Sequence, residues 1–311
     1  MKSLKKYISP LLLFIAAAIW GFAFSAQKSA SELPPFTIGA VRSIFATVFL
    51  LAVIPVLDKA RGNGRRLISG KCKLDFTKYE IIGGVVTGLI LALASALQQS
   101  GIGDGTDAGK AAFITALYVV IVPIYGLFFK KRAPINVWCG VVIAVVGFYL
   151  LCIDGDFNIA PSDLLVLICA LVFALHILAI DHFSLDTDGV RMSAIQFATA
   201  SVINLVLAII LESQVSFALI WENILPLLFL GIGSSGIAYT LQIVGQKGVH
   251  PAVASLLLSL ESVFGVIGSA IFLGERMSPR EYIGCAVVFL AVILAEIDFK
   301  ALLKSKRNTE N

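Results

Sequence analysis

The sequence predicts an all-α polytopic membrane protein, with ten transmembrane helices in two inverted five-helix repeats around a central cavity. Three observations predict it. The 311 residues are 58% hydrophobic and only 14% charged, with a mean hydropathy of +0.93. A soluble domain needs a polar shell, and so few charges cannot make one. The apolar residues gather in ten segments, each long enough to cross the hydrocarbon core as a helix, the form that satisfies its own backbone polar groups. Finally, the two halves of the chain resemble one another.

The ten segments are 9–28, 36–57, 80–101, 110–129, 135–153, 162–182, 191–211, 223–245, 251–273 and 280–298. The gaps carry helix breakers: Pro34-Pro35, Gly62-Asn63-Gly64, Gly101 to Gly105, Pro134, Pro161, Gly248 and Pro279. One gap, 58–79, is long and basic and reads as a surface loop. At the N-terminus, Lys2, Lys5 and Lys6 precede an apolar stretch from Pro10 to Gln27. That stretch is longer than the apolar part of a signal peptide, so an uncleaved first helix is expected.

Lys and Arg set the orientation. With the N-terminus in the cytoplasm, nineteen basic residues fall inside and four outside (Lys28, Lys110, Arg276 and Arg280), with Arg42 within a span. Both termini are therefore expected in the cytoplasm, in a bacterial inner or plasma membrane.

The repeat is visible without gaps between Leu97–Val146 and Leu241–Leu290, at an offset of 144. Matches include Leu97/Leu241, Gln98/Gln242, Gly101/Gly245, Ala108/Ala252, Phe128/Phe272, Arg132/Arg276 and Gly140/Gly284. The first helix aligns with the sixth at an offset of 153, Leu11 on Leu164. The long loop of the first half accounts for the difference. The units are residues 1–155, residues 160–299 and a basic cytoplasmic tail, 300–311. Five spans per half make the second enter the membrane from the opposite side, the construction used for alternating access.

Several stretches carry a resemblance: Ala108-Gly-Lys-Ala-Ala-Phe-Ile-Thr-Ala-Leu-Tyr-Val-Val-Ile-Val-Pro123, Leu97-Gln98-Gln99 before it, Ala254-Ser-Leu-Leu-Leu-Ser-Leu-Glu261-Ser, and Leu273-Gly-Glu-Arg276. In order and spacing they resemble the EamA-type transporters of the drug/metabolite transporter superfamily, over residues 10–298. The resemblance implies a ten-helix basket whose cavity is lined mainly by helices one, three, four, six, eight and nine. It also implies transport of small solutes: mostly export of amino acids, related metabolites or drugs, and in some members import of sugars. Family members often carry proline after the ninth-helix glutamate, where this chain has Ser262.

Ionisable and polar residues inside spans are costly and mark function. Glu261 lies near the middle of helix nine, with Ala254, Leu258, Gly265 and Gly268 on its face and Ser262 and Ser269 beside it. It reads as a cavity carboxylate, for proton coupling or a cationic group, or as a protonated packing residue. Helix three presents Thr87, Leu91, Ser95 and Gln98 on one stripe; helix eight presents Ser235, Tyr239, Gln242 and Gln246. Helix four adds Thr115, Tyr118 and Tyr125 and helix one Trp20, aromatics suited to an amphipathic or cationic solute. His176 is the second proton-coupling residue considered, or a neutral packed histidine. The substrate-binding set is therefore Trp20, Ser95, Gln98, Tyr118, His176, Tyr239, Gln242 and Glu261. Arg42 is open between carboxylate binding and snorkelling to the interface, and Asp181 and Lys110 are expected to reach headgroups.

Other classes find little support. The net charge of +4 sits in short gaps rather than on one face, which excludes nucleic-acid binding. The cysteines, Cys72, Cys139, Cys152, Cys169 and Cys285, lack C-x-x-C spacing and read as small hydrophobes. His176, His182 and His250 have no acidic partners at metal-ligand spacing, and no H-E-x-x-H or G-x-S-x-G occurs. Gly101-Ile-Gly-Asp-Gly105 lacks the lysine of a P-loop. The sequence thus predicts no enzyme, no cofactor and no metal. The expected partners are a small-molecule substrate, the lipid bilayer and, as coupling ion, the proton. Drug, sugar or nucleobase permeation on the same fold, a channel or receptor, and monomer versus homodimer stay open.

Overall fold

In the computed structural model the described residues are 2–60, 67–68, 71–72, 75–152, 160–212, 217–272 and 278–296. The Gly62–Gly64 turn, the Leu273–Arg276 stretch and the tail 300–311 lie outside them, as does the Ser269 side chain. Helices stand at all ten expected segments. They are α1 Lys2–Ser29, α2 Pro35–Ala60, α3 Lys78–Gly103, α4 Ala108–Ala116, α5 Tyr118–Phe128, α6 Ile135–Cys152, α7 Pro161–Ser184 and α8 Gly189–Leu211. There follow α9 Phe217–Glu222, α10 Ile224–Leu228, a π-helix Phe229–Ala238, α11 Tyr239–Gly245, α12 Pro251–Leu258, α13 Glu261–Phe272 and α14 Pro279–Glu296. Among the described residues eight segments are long and apolar enough to cross a membrane, and Ile135–Leu150 is a shorter apolar helix. The long gap, expected as loop, contains a two-stranded antiparallel pair, β1 Leu67–Ile68 against β2 Lys71–Cys72.

Local sequence sets the boundaries. Thr77 caps α3 reciprocally with Glu80: Glu80 N donates to Thr77 Oγ1 at 3.2 Å and Thr77 N to Glu80 Oε2 at 2.8 Å. Proline opens α7 and α12, where a missing N–H costs nothing. After α3 and α11 the chain turns through Gly105 (φ +115°) and Gly248 (φ +78°), conformations that an L side chain resists.

The packing has a regular plan. α1 packs on α13, as α7 packs on α4 and α5. α3 packs on α7 and α8, as the π-helix and α11 pack on α1 and the π-helix on α2. The pairs α2–α8 and α6–α14 complete the set. Exchanging each segment for the one five places along the chain maps these contacts onto one another. The outer surface carries exposed Val48, Val56, Leu93, Val202, Ile209 and Leu290, an apolar face that suits lipid and not water. Phe217 and Trp221 of the short α9 are also exposed, in the manner of interfacial aromatics.

Polar ties fasten the ends of the bundle. At the end where α2 finishes, Arg191 is held by Asp58 through Nη1 to Oδ1 (3.0 Å) and Nη2 to Oδ2 (2.5 Å) and donates through Nε to the Asp75 carbonyl (2.9 Å). Arg191, the first residue of the expected span 191–211, is a buried residue of the first turn of α8. At the other end Glu212 accepts hydrogen bonds from Phe36 N (2.6 Å), Thr37 N (2.9 Å) and Thr37 Oγ1 (2.6 Å). Asp181 and Lys110, expected at the headgroups, each form an ion pair with another residue of the chain. Lys131 pairs with Asp181, and Lys110 Nζ lies 2.5 Å from Asp163 Oδ2.

Candidate functional site

Two interrupted helices build the middle of the molecule. Between α4 and α5 the chain tightens at Leu117 (φ −61°, ψ −12°); after α12 it tightens in the same way at Ser259 (φ −64°, ψ −11°). These angles lie toward the 3₁₀ range, so the helix ladder is disturbed at mid-span in both places. Tyr118 starts α5 and Glu261 starts α13, and the Tyr118 hydroxyl lies beside the Glu261 carboxylate. The break at Glu261 forms without the family's proline. Ser262 turns its hydroxyl to the Ala112 carbonyl of α4, at 3.4 Å.

The approach of α1 to this break depends on Gly21. A Cβ there would lie 2.3 Å from Phe264 Cβ and 2.7 Å from the Glu261 carbonyl oxygen. Only glycine lets the two backbones meet so closely, and the contact brings Trp20 of α1 to the same space as Glu261.

That space is a central cavity, partly open and lined by residues of both halves of the chain. All eight residues of the expected substrate-binding set line it: Trp20, Ser95, Gln98, Tyr118, His176, Tyr239, Gln242 and Glu261. Ten of the seventeen lining residues form pairs at the two repeat offsets. Trp20 and Phe173, Ala23 and His176, and Phe24 and Ile177 are 153 apart; Ser95 and Tyr239, and Gln98 and Gln242, are 144 apart.

Tyr239 is the centre of an aromatic cluster. Its ring centroid lies 4.6 Å from Trp20, 5.5 Å from Phe197 and 5.8 Å from His176. Trp20 Nε1 donates to the Ser234 carbonyl at 3.3 Å. His176 is fully buried, and its Nε2 donates to Gln196 Oε1 at 3.1 Å. That bond places a proton on Nε2, and Nδ1 has no partner among the described residues. Gln98 Nε2 donates to Thr115 Oγ1 at 3.0 Å, whereas Gln242 Oε1 and Glu261 Oε1 have no partner among the described residues.

Arg42, open between two readings in the sequence, faces the cavity. It does not snorkel. It is 8% exposed, lines the cavity, and donates from Nε to Ser235 Oγ (3.0 Å) and from Nη2 to Ser234 Oγ (3.1 Å). Those serines sit in the π-helix, a geometry that recurs at functional sites. Phe173, Gln27 and Ser234 also line the cavity and were not singled out in the sequence; Phe173 could have been found as the counterpart of Trp20 at offset 153. Thr87, Leu91, Tyr125 and Gln246, by contrast, do not line it. Thr87 bonds its own helix at Gly83, Leu91 and Tyr125 pack in the core, and Gln246 bonds the Ile177 carbonyl at 3.1 Å.

Comparison with known proteins agrees with this architecture. A sequence model described as the EamA-like transporter family matches residues 8–153 and again 160–296. An uncharacterized transporter of Archaeoglobus fulgidus is 29% identical, over 95% of this chain and 88% of its own. The uncharacterized inner membrane transporter YedA of Escherichia coli is 23% identical, over 92% of this chain and 89% of its own. A crystal structure with 19% identity superposes with a TM-score of 0.72, covering 92% of this chain and 96% of that one, a likeness of fold.

Proposed function

The chain belongs to the EamA-like transporter family, and from that premise we propose that it is a secondary exporter of small metabolites, amino acids or their derivatives first. It is a multi-pass membrane protein, a transporter by family rather than an enzyme. In this reading its two halves are inverted repeats with both termini in the cytoplasm, and they exchange conformations around one site to open it to each side in turn. The observation that carries the reading is the cavity itself. It lies at the interruptions of α4–α5 and α12–α13, and its walls are made of residues paired across the two halves.

The chemistry of the lining fits an amphipathic solute. Trp20, Phe173 and Tyr239 offer aromatic faces to an apolar or cationic part. Gln98 and Gln242 offer amides from opposite halves. Glu261, with an oxygen that has no partner, is the group we assign to proton exchange, since a buried carboxylate changes its charge with what stands beside it. His176 is committed to Gln196 and serves as a wall.

Purified protein in liposomes loaded with labelled amino acids tests the proposal, by efflux with and without an imposed pH gradient. Saturable efflux that quickens with the gradient in wild type, and loses that dependence in Glu261→Gln, is expected. Absence of efflux for every amino acid would overturn the substrate class; gradient-independent efflux would overturn the role of Glu261.

A further inference from the structure

The two deeply buried arginines among the described residues are held in opposite ways. Arg191 has the partners of a structural arginine: a carboxylate gripped by two nitrogens, and a backbone carbonyl for Nε. Arg42 has no carboxylate partner among the described residues. Two of its five N–H groups go to neutral serine hydroxyls, and Nη1 is left without a partner in the wall of the cavity. An unbalanced guanidinium at this depth is costly, and a fold that needed only packing there would be better served by an apolar side chain.

Resting on the transport reading above, we propose that Arg42 is the docking point for the carboxylate of the transported solute, so that substrates of this protein are monocarboxylates, zwitterions included. Three features support it. The serine contacts through Nε and Nη2 fix the plane of the guanidinium, so that the fork is set before a ligand arrives. Ser234 accepts from Arg42 and so keeps its own hydroxyl proton to donate, and it too lines the cavity. Its carbonyl is occupied by Trp20 Nε1 and does not repel an anion as a free acceptor would.

The charge count selects the class. Among the described residues Arg42 is the only lysine or arginine in the cavity lining, which suits a single negative charge and not a phosphate dianion. Glu261 lines the same cavity without forming an ion pair with Arg42. A solute with a carboxylate at one end and an ammonium at the other would match both, with its side chain against Trp20 and Tyr239.

The test is thermal unfolding of the detergent-solubilised full chain at fixed ionic strength, with matched probes: sodium benzoate against benzamide, L-leucine against L-leucinamide, L-phenylalanine against L-phenylalaninamide. A saturable rise of melting temperature is expected with carboxylates and not with their amides. Arg42→Gln should weaken the carboxylate response roughly tenfold or more, and Arg42→Lys should keep part of it, since charge survives but the planar fork does not. Should Arg42→Gln fail to fold, Ser235→Ala carries the test: it frees Nε while keeping the charge, and a several-fold weakening is expected. Equal responses to acid and amide, no response to any carboxylate, or a response that survives both substitutions would overturn the assignment. Saturable efflux in liposomes without a carboxylate response leaves the transport reading standing and removes the role of Arg42. A carboxylate response lost in the variants, without efflux, does the reverse.

Discussion

Asp58, near the end of α2, and Arg191, in the first turn of α8, grip one another through two parallel hydrogen bonds with both side chains almost wholly buried. Removing one partner of such a pair leaves a buried charge without compensation, which costs more than the pair itself contributes. Asp58→Asn is therefore expected to lower stability by about 3–5 kcal/mol. The double variant Asp58→Leu/Arg191→Met should cost less than Asp58→Asn alone. Thermal unfolding in detergent checks both, and a double variant at least as unstable as Asp58→Asn would show that the charges stabilise the fold outright.

At the opposite end of the same helix pair, Glu212 satisfies the first N–H groups of α2. Those groups have no partner within their own helix. Glu212→Ala should destabilise by about 1–2 kcal/mol, as loss of a helix cap does. Glu212→Gln, which keeps an acceptor and loses the charge, should cost less. Chemical denaturation of the solubilised chain would separate the two.

Gly21 has no room for a side chain, because the atoms a Cβ would meet belong largely to the α13 backbone. Gly21→Ala is expected to cost about 1–3 kcal/mol, the usual result of overpacking, and to reduce efflux by displacing Trp20 from Glu261. Gly103, where a Cβ meets nothing within 4 Å, supplies the control. Gly103→Ala should leave both stability and efflux near wild type; an equal loss in the two variants would mean that crowding at Gly21 is not the cause.

The two repeat-related glutamines should differ in one measurement and agree in another. Gln98→Ala loses the bond to Thr115 and is expected to cost about 1 kcal/mol. Gln242 has an unsatisfied Oε1, and the residue equivalent to Thr115, Ser259, bonds the Leu256 carbonyl of its own segment instead. Gln242→Ala should therefore be nearly neutral for stability. Both substitutions should lower efflux, since both residues line the cavity.

Much of this site was legible because polar side chains on an apolar helix stand out, and helical spacing collects them on one face. Ser95 and Gln98 follow that rule. Thr87, on the same stripe, does not line the cavity; its hydroxyl bonds back to Gly83, a local alternative that spacing cannot distinguish from a cavity position. Arg42 was ambiguous for another reason. Whether an arginine two turns inside a span points inward or climbs to the interface depends on the rotation of its helix, which a nearly all-apolar sequence leaves unspecified. The π-helix that presents Ser234 and Ser235 packs against α1 and α2, and helical spacing reads its residues as ordinary α-helix. The bend before Glu261 forms without proline, so no breaker residue could announce it.

The two lysine–aspartate pairs have a mechanical consequence. Lys110 in α4 ties to Asp163 at the start of α7, and Lys131, just past α5, ties to Asp181 near its end. A limb from the first half of the chain is thus riveted to a helix from the second at both extremities. The ion pairs at both ends, with the packing between them, favour movement of the two limbs together. Under the proposed transport cycle, the molecule would then part between struts of mixed origin, and not along the covalent midpoint of the chain.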